Sequence, residues 1–412
     1  MFSEELLKLK EEVLLEVKPY FERLRQNEEK NSFKVLNAMR EAKVSDAHFG
    51  VSSGYAYNDI GRSKLEEVYA KIFRAERALV RPQFVSGTHA LATVLFGCLR
   101  PGDKLVSVTG SPYDTMQTVI GHAVKSSGSL REFGVLYDEL PMINGRVDIN
   151  GIKNILDAKT KMVLIQRSRG YSDREPIFIS EMEKIIDEIR IHAPKCIVFV
   201  DNCYGEFVEE REPIEAGADI IAGSLIKNPG GGLAPTGGYI AGRDDLVELS
   251  SYRLTAPGMG DELGASLTGN RLFFEGLFLA PHIVSEALKS AIFAAGLFEK
   301  LGFGTHPLKE EPRGDIIQSV RLQTPEKLKA FCRGIQSYSP VDSFATPEAW
   351  DMPGYEDKVI MAAGTFVQGA SIELSADGPL REPYNVYMQG GLAFSQAMIG
   401  IMGAAEAVIS KK

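Results

Sequence analysis

The stretch that decides the fold is Ile197-Val-Phe-Val-Asp-Asn-Cys-Tyr204, which is followed by Ser224-Leu-Ile-Lys-Asn-Pro-Gly-Gly-Gly232. An apolar run without polar alternation is typical of a buried strand, and Asp201 lies at its exposed end. Lys227 comes 26 residues after Asp201, at the start of a glycine-rich loop. Each residue alone has an ordinary interpretation, Asp201 as a strand-end cap and Lys227 as a solvated side chain. Other residues of the chain are needed to choose between these interpretations and a functional one.

A lysine and an aspartate in this order suit one kind of cofactor chemistry. The lysine amine can form a Schiff base with the aldehyde of pyridoxal 5'-phosphate (PLP). The aspartate can keep the pyridine nitrogen protonated, so that the ring accepts electrons. Under this hypothesis Lys227 is the Schiff-base residue and Asp201 is the partner of the pyridine nitrogen.

Composition excludes several other classes of protein. The 412 residues are 44% hydrophobic and 25% charged, which predicts a globular protein with a large core. The net charge of -9 argues against a surface for nucleic acid or for an anionic membrane. The start of the chain alternates charge with leucine, unlike a signal peptide. Charged residues interrupt the most apolar stretch, 272–298, so we expect a core-facing helix and no membrane span.

The cysteines and histidines indicate neither a disulfide framework nor a metal site. The four cysteines show no C-x-x-C spacing and lie mostly in apolar surroundings, as expected for reduced cysteines of a cytoplasmic protein. The six histidines are scattered and include no H-x-x-x-H pair, so we expect no structural or catalytic metal.

Short apolar runs alternate with helical segments through the first two thirds of the chain. Runs rich in valine and isoleucine predict a mostly parallel, seven-stranded sheet with helices on both faces. The predicted strands are Gln83–Ser86, Lys104–Val108, Glu132–Leu136, Met162–Gln166, Cys196–Val200, Asp219–Gly223 and Gly238–Gly242.

Helical spacing of apolar residues defines the rest of the predicted organisation. Leucine and valine recur at helical spacing over Glu4–Leu24, and a second helix is expected over Phe33–Ala42. The predicted domains are an N-terminal helical segment (1–44), a large α/β domain (45–270), and a long linking helix with a small C-terminal α+β domain (271–412).

A turn of small residues offers a place for a phosphate. Ser86-Gly87-Thr88 follows an apolar run and precedes a helix, where main-chain N–H groups and the helix terminus favour an anion. Ser224 could add a second hydroxyl, although Ser-Gly-Thr is also a routine helix cap. A nucleotide fits poorly, because the loop after Lys227 lacks G-K-[S/T] and no G-x-G-x-x-G follows the first strand.

A flat cofactor ring also needs a stacking partner. Tyr113 lies just beyond the strand that follows the turn, at the sheet edge where open α/β folds bind ligands. An ordinary turn tyrosine remains the alternative.

Together these residues resemble the fold-type-I PLP enzymes. Val200-Asp-Asn-Cys-Tyr204, Ser224-x-x-Lys227, the Ser86-Gly-Thr turn and Tyr113 are most similar to the cystathionine and methionine lyase group. The loop Asn228–Gly238 departs from that group, which usually has a histidine- or serine-bearing glycine loop there. That loop and two further segments resemble the divergent subfamily called methionine gamma-lyase-like or aluminium-resistance protein. The two segments are Gln166–Tyr171 and Ser375–Pro383.

The resemblance covers nearly the whole chain and implies a role for several residues. Lys227 is the implied Schiff-base lysine, Asp201 the pyridine partner, and Tyr113 the stacking aromatic and acid or base. Arg381 is the implied ligand of the substrate carboxylate, with a surface ion pair to Glu382 or Asp377 as its alternative. The implied phosphate ligands are Ser86, Gly87, Thr88 and Ser224.

The same resemblance implies an active site shared between subunits. In related lyases a tyrosine and an arginine of the neighbouring subunit complete the phosphate site. Tyr57 is the expected tyrosine, with Tyr55 close behind, whereas Arg62 lacks the usual Tyr-x-Arg spacing. We therefore expect a homodimer or a homotetramer. Arg167 and Arg169 could contact the ring hydroxyl of the cofactor or an acid of the substrate.

The implied activity is that of a carbon–sulfur lyase on sulfur-containing amino acids. Lys227 would remove the Cα proton, the protonated ring would stabilise the carbanion, and sulfur would leave from Cβ or Cγ. For this the pKa of Lys227 must fall. The alternatives are transamination, aldol cleavage or replacement at Cγ, and a metal-resistance protein that keeps the fold without turnover.

Overall fold

The computed structural model describes residues 2–122, 126–172, 174–352 and 357–411. Its helices are α1 (Glu4–Glu41), α2 (Ile60–Phe73), α3 (Gly87–Cys98), α4 (Asp114–Ile120), α5 (Ile152–Ile155), α6 (Ile179–His192), α7 (Asp244–Leu254), α8 (Arg271–Lys300), α9 (Pro325–Ser337) and α10 (Phe394–Ile409). Its strands are β1 (Arg77–Arg81), β2 (Lys104–Ser107), β3 (Leu136–Glu139), β4 (Thr160–Gln166), β5 (Ile197–Asp201), β6 (Ile220–Ser224), β7 (Gly238–Gly242), β8 (Gly304–His306), β9 (Gln318–Arg321), β10 (Val359–Ala362), β11 (Ser375–Pro379) and β12 (Asn385–Gln389).

The larger sheet has seven strands in the order β1-β7-β6-β5-β4-β2-β3. Strands β2 to β6 pair in parallel, and β7 is antiparallel to both neighbours. Alternate residues of β5 enter two hydrophobic clusters. Ile197 and Phe199 pack in the cluster of α3, whereas Val198 and Val200 pack in that of α6 and α8. Helices thus cover both faces, and the predicted mostly parallel α/β sheet is confirmed.

The smaller sheet is antiparallel, in the order β10-β11-β12-β9-β8. Ala376, Val386 and Met388 point from it into a hydrophobic cluster with α9 and α10. Together with its helices this sheet forms the predicted smaller C-terminal α+β unit. The residue bounds predicted for the domains stay a prediction.

Helix α8 takes part in the cores of both sheets. Phe273 and Leu288 belong to the cluster of the larger sheet, whereas Ile292 and Phe298 belong to that of the smaller sheet. By length and composition α8 is apolar enough to cross a membrane, but 72% of its apolar window is buried inside the protein. Helix α1 packs along α8.

Helix α1 corrects the prediction of two N-terminal helices, because it runs unbroken from Glu4 to Glu41. The polar residues between the two predicted helices dock α1 onto another segment. Asn27 Nδ2 donates to the carbonyl of Val208 over 3.0 Å, and Asn31 Nδ2 donates to the carbonyl of Glu209 over 3.1 Å. These tertiary hydrogen bonds compensate for the missing apolar pattern.

The first and third strands were predicted at the wrong places. The first is β1, not Gln83–Ser86, and Val85 of the predicted strand is 80% exposed. β1 ends in a buried arginine, Arg81, whose Nε lies 3.0 Å from Glu66 Oε1. Because the buried charge is paired, the strand is stable although its sequence does not look like an apolar run. The third strand is the edge strand β3, Leu136–Glu139, and only Leu136 of the predicted Glu132–Leu136 belongs to it.

Candidate active site

Strands β5 and β6 deliver the two residues of the opening hypothesis to one place. They are parallel neighbours, so Asp201 at the end of β5 and Ser224 at the end of β6 lie at the same sheet edge. Lys227 follows three residues after Ser224. The structure therefore brings Asp201, Ser224 and Lys227 together at the carboxyl edge of the sheet.

Asp201 is buried and held by the chain that follows it. Its Oδ1 accepts the main-chain N–H of Cys203 over 3.1 Å. Burial raises the pKa of Asp201, and the positive charge of Lys227 opposes that rise. An anionic carboxylate here needs a positive partner, and a protonated pyridine nitrogen would be one.

The amine of Lys227 lies over an aromatic ring. Its Nζ is 4.0 Å from the ring centroid of Tyr204, a residue with a left-handed φ of 68°. Within the part of the chain that the structure describes, no carboxylate oxygen lies within ion-pair distance of Nζ. Burial by itself lowers the pKa of Lys227, but electrostatic interactions with Cys203, Tyr204 and Asp201 outweigh burial and raise it well above its usual value. These neighbours therefore do not produce the fall in the pKa of Lys227 that its role as a base requires.

Tyr113 is fixed by two hydrogen bonds. Its hydroxyl lies 2.9 Å from Thr88 Oγ1, and its main-chain N–H donates to Gln166 Oε1 over 2.8 Å. Burial and the charge of Asp201 raise the pKa of the Tyr113 hydroxyl. The side chain therefore keeps its proton at neutral pH and stands between the phosphate turn and Asp201.

The phosphate turn forms the start of α3. Ser86 is its N-cap, with Oγ accepting the main-chain N–H of His89 over 3.1 Å. The cap interpretation of Ser86 therefore holds, and it leaves the N–H groups of the first helical turn without intrahelical acceptors. A Cβ on Gly87 would lie 3.1 Å from Ser224 Cβ and 3.7 Å from Cys203 Sγ. A side chain larger than glycine would fill this cradle, so its shape fits a phosphate.

Two predicted residues stand apart from this group. Tyr57 is 58% exposed, and its ring centroid lies 5.8 Å from that of Tyr55. Arg381 is exposed beyond the end of β11 and pairs with Asp357 Oδ2 over 3.3 Å. The structure does not bring Arg381 to Lys227, and its surface ion pair has Asp357 as partner in place of Glu382 or Asp377.

The remaining candidates, Gln166, Arg167 and Arg169, contact other parts of the protein next to the site. Gln166 positions Tyr113 through the hydrogen bond described above. The guanidinium of Arg167 contacts Asn202 Oδ1 at 2.8 Å and Glu209 Oε2 at 2.9 Å, so it faces away from a ligand. Arg169 reaches the carbonyl of His306 over 3.2 Å. Arg167 thus joins segments of the protein, whereas Nη2 of Arg169 is buried without a hydrogen-bond partner among the described residues.

Sequence reasoning missed three residues that line or approach this site. Cys203 and Tyr204 belong to the quoted stretch, and their adjacency to Asp201 was the available signal. Asp377 comes from β11 of the smaller sheet, and the positive charge of Lys227 acts on its carboxylate. Only the alternation of polar and apolar residues along β11 and β12 could have pointed to Asp377.

Neither metal ligands nor surface grooves offer a competing site. Across the described ranges, no group of three or more His, Cys, Asp and Glu side chains could hold a metal ion. A groove of about 950 Å³ lies between α1 and α2, and its lining residues include Phe33, Lys71 and Asp261. None of the site residues described above lines that groove.

An α/β fold with helices on both faces of the sheet and with this lysine, aspartate, tyrosine and phosphate turn defines a fold-type-I PLP enzyme, and PLP fits the residues present. The family model described as "Methionine gamma-lyase" matches residues 6–409. The chain belongs to the methionine gamma-lyase family, a family of PLP-dependent enzymes.

Relatives cover the whole chain. The uncharacterized protein YnbB of Bacillus subtilis (strain 168) is 49% identical over 412 residues, which is 100% of this chain and 98% of that protein. A crystal structure of a carbon–sulfur lyase involved in aluminum resistance from Clostridium novyi NT has a TM-score of 0.95 and 49% identity, and covers 98% of this chain and 96% of that one.

More distant proteins share the fold or part of the sequence. L-methionine gamma-lyase of Pseudomonas deceptionensis is 25% identical over 219 residues, 53% of this chain and 50% of that protein. The PLP-dependent protein YhfS of Escherichia coli is 15% identical with a TM-score of 0.63 over 94% of this chain and 97% of that one, which shows the fold alone.

Proposed function

We propose that this chain is a PLP-dependent carbon–sulfur lyase that acts on sulfur-containing amino acids by β- or γ-elimination. The observation that best supports this proposal is that Lys227, Asp201 and the hydrogen-bonded pair Tyr113–Thr88 lie together at one edge of the sheet. Membership of the methionine gamma-lyase family supports the same reaction. We place the enzyme in the cytoplasm, where its four buried, unpaired cysteines would stay reduced.

Each residue has a task in this proposal. Lys227 would hold the aldehyde carbon of PLP and Asp201 its pyridine nitrogen, and the phosphate would lie against Gly87, Thr88 and Ser224. When bound, PLP withdraws electrons from the Cα–H bond of the substrate. Lys227 Nζ, in its neutral form, would take the Cα proton, and the Tyr113 hydroxyl would donate a proton to the departing sulfur.

Spectroscopy and product analysis test this proposal directly. Purified protein should show the yellow absorbance of lysine-bound PLP, which Lys227→Ala abolishes. Lys289→Ala is the matched control, because Lys289 pairs with Glu286 on α8 and lies outside the site. Sulfur amino acids should yield a 2-oxo acid together with a thiol or sulfide.

Two outcomes would contradict the proposal in different ways. Amino transfer without a 2-oxo acid and thiol would replace elimination by another PLP reaction, such as transamination, aldol cleavage or replacement at Cγ. Bound PLP with no turnover of any amino acid would favour a non-catalytic resistance protein.

We further propose that two subunits share each active site. Arg62 donates to the carbonyls of Ala56 and Gly264 over 3.0 and 2.8 Å, which holds the loop that presents Tyr57 to solvent. Apolar side chains surround this loop and are exposed in one chain. They are Val51, Tyr55, Ile60, Val85 and Leu267. A second copy would cover them and receive Tyr57.

Mixing two inactive variants tests the shared site. Lys227→Ala and Tyr57→Ala should each lose activity, and subunit exchange between them should restore about a quarter of the sites. Mixing Lys227→Ala with Asp201→Ala is the control, since both residues belong to the same chain's site. Recovery in the control, or none in the first mixture, would contradict a site shared through Tyr57.

A further inference from the structure

One face of the smaller sheet carries buried polar side chains. Residues that alternate with them, such as Val386 and Met388, pack in the hydrophobic cluster of α9 and α10. The opposite face of the same three strands is polar yet buried. Its members are Ser319 of β9, Ser375 and Asp377 of β11, and Asn385, Tyr387 and Gln389 of β12. Buried polar groups normally have partners, so this face must meet other polar groups.

The polar face turns toward the active site. The ring of Tyr387 lies 5.1 Å from the ring of Tyr171, and the Tyr171 side chain lowers the pKa of Asp377. Tyr171 follows Gly170, where an added Cβ would lie 3.9 Å from Tyr113 Cβ and 3.6 Å from Gln166 Nε2. The charge of Lys227 also acts on Asp377. The face therefore lies near the site residues of the larger sheet.

Asp377 has hydrogen-bonding capacity left within this face. Gln389 Nε2 donates to Asp377 Oδ2 over 3.3 Å, and Oδ1 has no hydrogen-bond partner among the residues described here. Only 7% of Asp377 is exposed. Burial raises its pKa to about 6, so the carboxylate is charged at neutral pH. An unpaired, buried carboxylate oxygen is destabilising, so a donor supplied by a ligand would stabilise Asp377.

We propose that Asp377 is a specificity-determining residue whose Oδ1 accepts a hydrogen bond from an amino group at the distal end of the substrate's sulfur-bearing side chain. The proposal rests on the proposed lyase function and narrows its substrate class. Thioether amino acids that end in an amine are favoured over those that end in a hydrocarbon. The charged group facing Asp377 is Lys227 of the larger sheet; the neutral hydroxyl of Tyr171 also faces it, and Cys332 of α9 lies on the other side of β11.

Two isosteric thioethers test the proposal. S-(2-aminoethyl)-L-cysteine ends in an amine, and S-propyl-L-cysteine has a methyl group in its place. The wild-type kcat/KM should favour the amine about tenfold or more, as expected for a charge-assisted hydrogen bond. Asp377→Asn should remove most of that preference and retain the PLP absorbance. Asp357→Asn, an exposed acid at the same end of the chain, should leave the preference unchanged.

A binding measurement separates this proposal from the lyase proposal. L-Lysine and L-2-aminoheptanoate contain no sulfur, and their binding can be followed by the absorbance of the bound cofactor. Tighter binding of L-lysine in the wild type but not in Asp377→Asn would support the role of Asp377 even if no thioether is cleaved. Equal binding of the two amino acids, or an Asp377→Asn effect only on the pH titration of the lysine-bound cofactor, would overturn it.

Discussion

The hydroxyl of Tyr113 lies 2.9 Å from Oγ1 of Thr88, so the beginnings of α4 and α3 are joined across the site. Gln166 fixes the main chain of Tyr113 from the other side. The orientation of this ring is thus set by the protein itself. If Tyr113 stacks on a flat cofactor, as proposed, binding would require little reordering of its ring.

Tyr113→Phe should lower kcat about a hundredfold, because the proton donor to the departing sulfur is lost while the ring remains. The absorbance and affinity of bound PLP should change little. Steady-state kinetics and cofactor titration check both expectations. Tyr137→Phe is the control, since its hydroxyl donates to Glu139 Oε2 at the sheet margin. A Tyr113→Phe enzyme with unchanged kcat would remove Tyr113 from proton transfer.

Gly87→Ala should weaken PLP binding about tenfold, because its Cβ would lie 3.1 Å from Ser224 Cβ and narrow the phosphate cradle. Equilibrium dialysis of the cofactor measures the effect. At Gly304 of β8 an added Cβ meets only Arg321 Cβ at 3.8 Å, so Gly304→Ala is the matched control and should bind PLP normally. Equal affinities for all three proteins would show that the cradle does not hold the phosphate.

Arg62→Lys should loosen the loop that carries Tyr57 and destabilise the protein by about 1–3 kcal/mol. The buried guanidinium donates to three carbonyls, those of Ala56, Gly264 and Glu262, and an ammonium cannot reproduce this fork. Limited proteolysis and urea unfolding report the change. Arg100→Lys is the control, because Arg100 holds carbonyls only near the end of α3. A loop that stays protected in Arg62→Lys would contradict the anchoring role.

Glu206 should make stability fall as pH rises. Burial raises its pKa to about 8, with Tyr239 and Lys227 opposing and Glu212 adding to the rise. The folded protein therefore keeps a proton that the unfolded chain loses above about pH 5, and stability declines between these values. From pH 5.5 to 8.5 the wild type should lose about 3 kcal/mol more than Glu206→Gln in urea unfolding.

The control for that measurement is Glu188→Gln on α6, which removes a surface partner of His192. The free energy of unfolding of this variant should change between pH 5.5 and pH 8.5 by the same amount as that of the wild type. A wild type and a Glu206→Gln variant with parallel stability curves would mean that Glu206 is ionised in the folded protein at neutral pH.

Much of the large sheet could be predicted because its strands are continuous apolar runs. β5 and β6 follow that rule, and their parallel pairing places Asp201 and Ser224 together without further information. β1 breaks the rule, since Arg81 reaches its partner Glu66 only through the tertiary fold. Local pattern cannot reveal a charge that is neutralised by a residue from a different element.

The part of the candidate site that could be predicted consists of residues close to the predicted strands and helix starts. Lys227 and Tyr113 follow strands that their own segments predict, and Ser86-Gly87-Thr88 reads as a helix start even though the strand predicted directly before it was wrong. Asp377 could not be placed, because its approach to Lys227 depends on how the smaller sheet packs against the larger one. The role of Arg381 stays a prediction: its neighbourhood in sequence suggests the site, while in the fold its side chain pairs with Asp357 at the surface.

The passage of α8 through both hydrophobic clusters has a consequence for the mechanics of the molecule. Phe273 and Phe298 anchor the two ends of one continuous helix in different cores. Any tilt of the smaller sheet must therefore bend this helix or move its packing in the larger core. The separation of Lys227 and Asp377, which belong to the two sheets, is therefore coupled to the shape of one continuous helix.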